Sequence, residues 1–373
     1  MANVSGLVSR TSHGASQMIY PKTHAAAGAL FFGLAAFGQA SANEVEDFYR
    51  GKTLQFIVGS AAGSGYDLTS RPLGKYLTKY LPGHPLVIIR NMPGAAAVIM
   101  TNYFVGAAPA DGTVIGMGTS NVPYEPRLKL MSVDGKNSNW DPRSLSWIGT
   151  PVREPQISWV WGASGIETWK DMRDKPTRFG STTIGGDNSI FPLLANKLLG
   201  LKSEVITGYQ GSSEVFLAIE RGELNASNTA YSNLTIQKPD WLKSGRARIV
   251  MQFGIERIPS LPDVPSLIEL VQNDEDRKML RFLLMKFEMH RPIYGPPKIP
   301  KDRLEALRKA FDQAVTDPDF VDEATKMGLE LRPLSGLAIT KMIDEIMETP
   351  EPLVARVRDT INALANCREA GAQ

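Results

Sequence analysis

The sequence is poor in cysteine, in histidine and in uncompensated charge. A single cysteine, Cys367, excludes an internal disulfide framework and any zinc site built on cysteine pairs. Four histidines in 373 residues leave little for nucleophile–histidine chemistry. A formal net charge of +2, from 41 basic and 39 acidic residues, gives no electrostatic footprint for a nucleic acid or an anionic membrane. The hydrophobic share of 43% and charged share of 21% are those of a globular chain, so fibrous and disordered classes are out. At about 150 residues per domain the length suits two domains.

The first 42 residues carry Arg10 and Lys22 and no acidic residue. The apolar and small-residue run Ala25–Phe37 is followed by Ala40-Ser41-Ala42, an A-x-A cleavage pattern. That run falls short of the ~20 residues that span a bilayer. Residues 1–42 are therefore expected to be a secretory signal peptide, with Met18 as an alternative start, and with an uncleaved anchor or mitochondrial presequence as the competing readings. Cleavage would leave residues 43–373, with 39 basic against 39 acidic residues and only His84 and His290.

Beyond the leader, strand and helix patterns alternate. Thr53–Gly59, Leu86–Arg90 and Val114–Met117 read as strands, and Asp67–Tyr80 and Ala95–Val105 as helices between them, a parallel βαβαβ unit. After an exposed loop at Lys129–Pro142 the alternation restarts. Strands are expected at Ser146–Thr150, Ile157–Trp161, Arg178–Ser181, Glu204–Ile206, Glu223–Ala226 and Arg248–Phe253, with helices at Ser189–Leu199 and Ser212–Arg221. From Lys301 onward the pattern is helical. No internal repeat is visible. The organisation expected is α/β: a first lobe from 43–150 and 253–373, the latter adding C-terminal helices, and a second lobe from 151–252.

Small residues gather where strands hand over to helices. Gly59-Ser-Ala-Ala-Gly-Ser-Gly-Tyr-Asp67 reads either as an anion cradle at a helix N-terminus or as a tight turn with Asp67 as its cap. It lacks the third glycine of a dinucleotide fingerprint and the Gly-Lys-Ser/Thr of a P-loop. Asn91-Met-Pro-Gly-Ala, Gly118-Thr119-Ser120-Asn121, Ser181–Ser189 and Gly208-Tyr209-Gln-Gly-Ser-Ser213 repeat the device. Each alone is ordinary turn chemistry, but five such junctions in two lobes suggest a cleft lined with neutral donors. Tyr231, next to a strand, is a further cleft candidate, while Trp159, Trp161 and Trp169 suit core packing.

Catalytic patterns are missing. There is no Gly-x-Ser-x-Gly elbow and no His-Glu-x-x-His, and both remaining histidines sit in structural-looking contexts. Arg71, one turn into the first helix, suits a local ion pair.

The motifs together resemble the periplasmic receptors of the tripartite tricarboxylate transporters, the Bug-type receptors. Ala62-Gly-Ser-Gly-Tyr-Asp67 with Arg71 matches the family's Ala-Gly-Gly-x-x-Asp loop and following arginine. Asn91-Met-Pro-Gly-Ala95, Pro109-Ala-Asp-Gly-Thr113, Leu261–Pro265 and Gly295–Pro300 follow in family order. Four positions depart from it. Ser64 replaces a glycine, Gly59-Ser60 replaces Pro-Phe, Met92 stands where arginine is common, and Gly208–Gly211 replaces Pro-Tyr-Lys-Gly.

The resemblance implies a two-lobe clamshell of the type II periplasmic-binding class, without enzymatic activity or cofactor. It implies that Ala61, Gly63, Ser64 and Asp67 hold a ligand carboxylate from one side and Thr182, Thr183, Asn188 and Ser189 from the other. Thr119, Ser120, Tyr209 and Tyr231 complete the candidate site, and no metal ligand is expected. The partners implied are a small organic carboxylate and membrane permease subunits, with no nucleic acid, for a periplasmic monomer. The alternatives are an exported enzyme acting on a carboxylate and a sensor presenting its ligand to a signalling protein.

Overall fold

The computed structural model describes residues 44–129, 132–133, 136–182 and 186–369. The expected leader and Thr183 lie outside the described residues.

Among the described residues the strands are, in chain order, β1 (Thr53–Val58), β2 (Leu86–Asn91), β3 (Val114–Met117), the hairpin β4 (Ser132–Val133) and β5 (Lys136–Asn137), β6 (Ser146–Thr150), β7 (Gln156–Trp161), β8 (Thr177–Gly180), β9 (Ser203–Ile206), β10 (Ala226–Ala230), β11 (Ala247–Phe253), β12 (Ile293–Gly295) and β13 (Leu334–Ser335). Apart from the hairpin they build two sheets. The first has the order β13-β6-β12-β3-β1-β2 and the second β11-β7-β10-β8-β9. Each sheet contains a parallel trio with its earliest strand in the middle, β2-β1-β3 and β9-β8-β10. Each trio is then flanked by one antiparallel strand, β12 against β3 and β7 against β10. The chain passes from the first sheet to the second after β6 and returns before β12.

The parallel trios arise as the apolar strand runs demand. β1 and β3 bury almost every side chain, because helices cover both faces. The helix Gly65–Tyr80 lays Leu73 and Leu77 against Phe56, beside Leu307 and Phe311 of the helix Lys301–Ala314. Its C-terminal end is fixed by Asp317, whose Oδ2 accepts from Lys79 Nζ at 2.6 Å and Tyr80 Oη at 2.7 Å. In the second sheet Trp159 meets Phe216 and Trp241 edge to face, and Trp161 meets Trp241 likewise. A second aromatic group, Phe191, Phe253 and Phe287, packs where the chain returns to the first sheet.

Two expected elements are corrected. The helix expected from Ala95 begins at Val98, and Ala95, Ala96 and Ala97 have φ of 44°, 50° and 73°. Three alanines in the left-handed region defeat the helical reading of an alanine run, since each position there costs about 1–2 kcal/mol. The strand expected at Glu223–Ala226 starts at Ala226 and continues to Ala230. Its Ser-Asn-Thr centre is buried and hydrogen-bonded, so polarity hid it. Between Phe253 and Pro292 the sequence pattern suggests no element, yet the helix Asp274–Leu284 forms with Asn273 as its cap.

Candidate functional site

The loop after β1 is organised from within by one carboxylate. Asp67 is buried, and its Oδ2 accepts from the Gly63 amide at 2.9 Å and from Arg71 Nε at 3.0 Å. Its Oδ1 accepts from Arg71 and from Asn91 Nδ2, both at 3.0 Å. Burial pushes this carboxyl upward, but the hydrogen bonds from Gly63, Arg71 and Asn91 outweigh it and hold it below the ordinary aspartate range. Arg71 makes the expected local ion pair. Asp67 does not cap the helix: the cap is Ser64, whose Oγ accepts from the Asp67 amide at 3.3 Å and lies 2.6 Å from Ser60 Oγ. The outcome is a loop in which Ala61, Ala62 and Gly63 are exposed at a helix N-terminus, the end that favours an anion.

The loops after β2 and β3 are locked to it. Asn91 also donates to the Ser60 carbonyl at 3.0 Å. Gly59 carries no side chain because Ala97 lies against it: a Cβ built there would sit 2.4 Å from that of Ala97. Thr119 Oγ1 donates to the Ala96 carbonyl at 2.7 Å, bracing the left-handed turn, and Ser120 is buried beside it in the chain.

A buried charged group sits beneath this loop. Arg291 is 5% exposed; its Nη1 donates to Thr69 Oγ1 at 3.0 Å, and its Nη2 lies 3.6 Å from Glu154 Oε2. A side chain at Gly65 would come within 3.3 Å of that guanidinium, so glycine keeps the approach open. His290 stacks on Tyr66 at 5.9 Å between centroids and lies 3.7 Å from Glu154. Burial lowers the His290 pKa to about 4, against the pull of Glu154, so the ring is neutral at pH 7. Glu154 itself stays below its ordinary range: burial raises it, but His290, Arg291 and the Ser232 amide prevail.

The second sheet contributes a cavity of about 330 Å³ at the C-terminal edges of β8 and β10, lined by Thr182, Asn188, Asn228 and Asn233 among others. Asn188 Oδ1 accepts from Ser181 Oγ at 2.8 Å, and Ser189, fully buried, donates to the same Oγ at 2.5 Å. Ser189 thus shapes the loop from below. Asp187 lines this cavity too and pairs with Lys286, whose Nζ is 3.5 Å from Asn121 Oδ1. A single lysine therefore joins the loop after β3 to the loop after β8. The other two candidates line different cavities, although the Tyr209 amide donates to the Ser181 carbonyl at 3.3 Å. Tyr209 lines a groove of about 400 Å³ with Leu217 and Arg221, and Tyr231 lines a cavity of about 490 Å³ with Val321 and Leu329.

Arg291, Lys286 and Asp187 were not among the candidates from sequence. Their signal is legible afterwards: Lys286, Glu288 and Arg291 interrupt the apolar stretch Leu283–Ile293, and charges in such a run are buried with partners. Among the described residues no cluster of three or more His, Cys, Asp or Glu is placed to hold a metal ion.

The chain as a whole is similar to known proteins. The tripartite tricarboxylate transporter family receptor pattern matches residues 71–358. The UPF0065 protein in the gbd 5′ region of Cupriavidus necator is 26% identical over 321 residues, covering 82% of this chain and 86% of its own length. A TctC solute binding protein from Polaromonas superposes with a TM-score of 0.63 at 17% identity, over 84% of this chain and 99% of its own. MatC from Rhodopseudomonas palustris, solved with bound malate, does so with a TM-score of 0.57 at 16% identity, over 83% and 99%. The shared fold is the two-lobe clamshell of periplasmic binding proteins, and this chain belongs to the tripartite tricarboxylate transporter receptor family.

Proposed function

We propose that the protein is a periplasmic receptor that captures a small organic carboxylate between the loop after β1 and the cavity of the second sheet, and hands it to a tripartite-tricarboxylate-type membrane permease. The observation that carries this reading is the loop 60–64. Its shape is fixed by the fully engaged Asp67, its exposed positions are small, and the buried Arg291 lies under the helix N-terminus. Such a surface offers backbone donors and a positive field to an anion without spending a surface charge.

In this reading Ala61, Gly63 and Ser64 meet the carboxylate, and Thr182, Thr183 and Asn188 meet the rest of the ligand from the second lobe. Asp67 and Ser189 position those loops, and Thr119 and Ser120 support them. The lobes formed by 43–150 with 253–373 and by 151–252 close over the ligand, because only the closed form makes both sets of contacts. Residues 1–42 direct export, and the receptor acts as a monomer. The malate found in MatC accords with a carboxylate ligand.

Calorimetric titration of the purified mature chain with mono-, di- and tricarboxylates tests the reading. Binding of at least one with submillimolar affinity and without turnover is expected. Turnover of a carboxylate by the protein would replace the receptor with an exported enzyme. A permease-free signalling partner, captured only in the presence of ligand, would favour the sensor.

A further inference from the structure

The part of the ligand that reaches the second sheet meets almost no available charge. The cavity there is lined by neutral groups that both donate and accept: Gln156, Thr182, Asn188, Asn228, Thr229 and Asn233. Among the described lining residues Asp187 is the only charged one, and its carboxylate is already paired with the buried Lys286. Among the described residues no arginine, lysine or histidine lines this cavity. A second carboxylate placed here would find neutral donors but no cation of its own, and would face Asp187. A bare alkyl or aryl tail would leave the amides and hydroxyls without partners, which is costly in the other direction.

We infer that the ligand is a polyhydroxylated monocarboxylate of the sugar-acid class, its single carboxylate on the β1 loop and its hydroxyls against the amide- and hydroxyl-lined cavity of the second sheet. This rests on the carboxylate-receptor reading and narrows it. Hydroxyls suit this lining because each donates and accepts, as do the Asn, Gln and Thr groups that face them. A site built to hydrogen-bond hydroxyls also rejects analogues that lack them more strongly than an apolar pocket rejects an added one.

The test is calorimetry of the wild-type chain and of Thr182→Val with gluconate, malate and hexanoate. Gluconate is expected to bind at least tenfold more tightly than malate and hexanoate. Thr182→Val is expected to weaken gluconate about tenfold while leaving hexanoate within a factor of two. Malate or hexanoate binding as tightly as gluconate would overturn the inference and leave the carboxylate receptor standing. An equal loss for all three ligands in Thr182→Val would overturn it as well. Absence of binding by all three, with a non-carboxylate such as glucose bound instead, would overturn both.

Discussion

Asn91, the last residue of β2, donates through one nitrogen to the Asp67 carboxylate and to the Ser60 carbonyl, both at 3.0 Å. One side chain thus ties the loop after β2 to both ends of the loop after β1. With Gly63 and Arg71 as further donors, Asp67 is a hub inside the protein rather than a group presented to a ligand. Asp67→Ala removes the acceptor that the Gly63 amide and Asn91 share and leaves Asn91 only its bond to the Ser60 carbonyl, while Arg71, half exposed, returns to water. Hydrogen bonds to a buried charge are worth about 1.5–3 kcal/mol. The expected outcome is a loss of about 2–3 kcal/mol in urea unfolding together with loss of carboxylate binding. Unchanged affinity in a folded Asp67→Ala protein would show that the loop keeps its shape without this hub.

Arg291 gives a second expectation. Removing one member of a buried ion pair typically costs about 3–5 kcal/mol, because the partner is left uncompensated. Arg291→Met should therefore destabilise the protein strongly by leaving the buried Glu154 without its guanidinium partner, and the double variant Arg291→Met/Glu154→Gln should recover most of that stability. If Arg291 supplies the field at the β1 loop, the recovered double variant still binds carboxylates about tenfold more weakly and with a flatter salt dependence. Affinity equal to wild type in the double variant assigns Arg291 to packing alone.

His290 makes stability depend on pH in a defined window. Its pKa falls from the ordinary 6.5 to about 4 in the folded protein, first through burial and with Arg291 and Lys286 adding to the depression, while Glu154 and Asp187 oppose it. The unfolded chain therefore takes up a proton that the folded chain refuses between these two values. The contribution of His290 is complete above pH 6.5 and is lost as pH falls towards 4, by roughly 3 kcal/mol at full extent. Glu288, whose pKa burial raises, works in the opposite sense over the acid part of the range. Urea midpoints at pH 7, 6 and 5 should fall steadily for the wild type and stay nearly level for His290→Phe, whose ring can keep the stack on Tyr66. Equal slopes for the two proteins would place the titration elsewhere.

How much of this was written legibly in the chain follows from what is periodic and what is buried. β1, β3 and β6 are apolar runs ending at glycine or threonine, so both position and direction could be read. β10 was misplaced because its Ser-Asn-Thr centre looks like a turn until its partners in β7 and β8 are known. The Ala95–Ala97 turn was misread because intrinsic propensity favours helix and only tertiary contacts, the Gly59 approach and the Thr119 bond, hold it left-handed. The same limit applies to the site. The Gly/Ser loops announced themselves locally, whereas the roles of Asp67, Arg291 and Lys286 depend on partners 4 to 222 residues away in sequence.

The Gly59–Ala97 contact makes that dependence testable at a single carbon. A methyl at Gly59 would lie 2.4 Å from the Ala97 Cβ and 3.2 Å from its Cα, distances that require backbone to move. The turn cannot retreat freely, because Thr119 holds the Ala96 carbonyl and the chain there already occupies the left-handed region. Overpacking of this kind costs about 1–3 kcal/mol, so Gly59→Ala should lower stability by that amount and weaken carboxylate binding as the loops separate. Ala97→Gly removes the opposing methyl and also suits a positive φ better than alanine does. In the double variant the collision is gone, and stability should return to within about 1 kcal/mol of wild type, a coupling that thermal unfolding of the four proteins measures directly. Purely additive losses would mean that the two loops are not in contact, and that the site is held together by Asn91 and Asp67 alone.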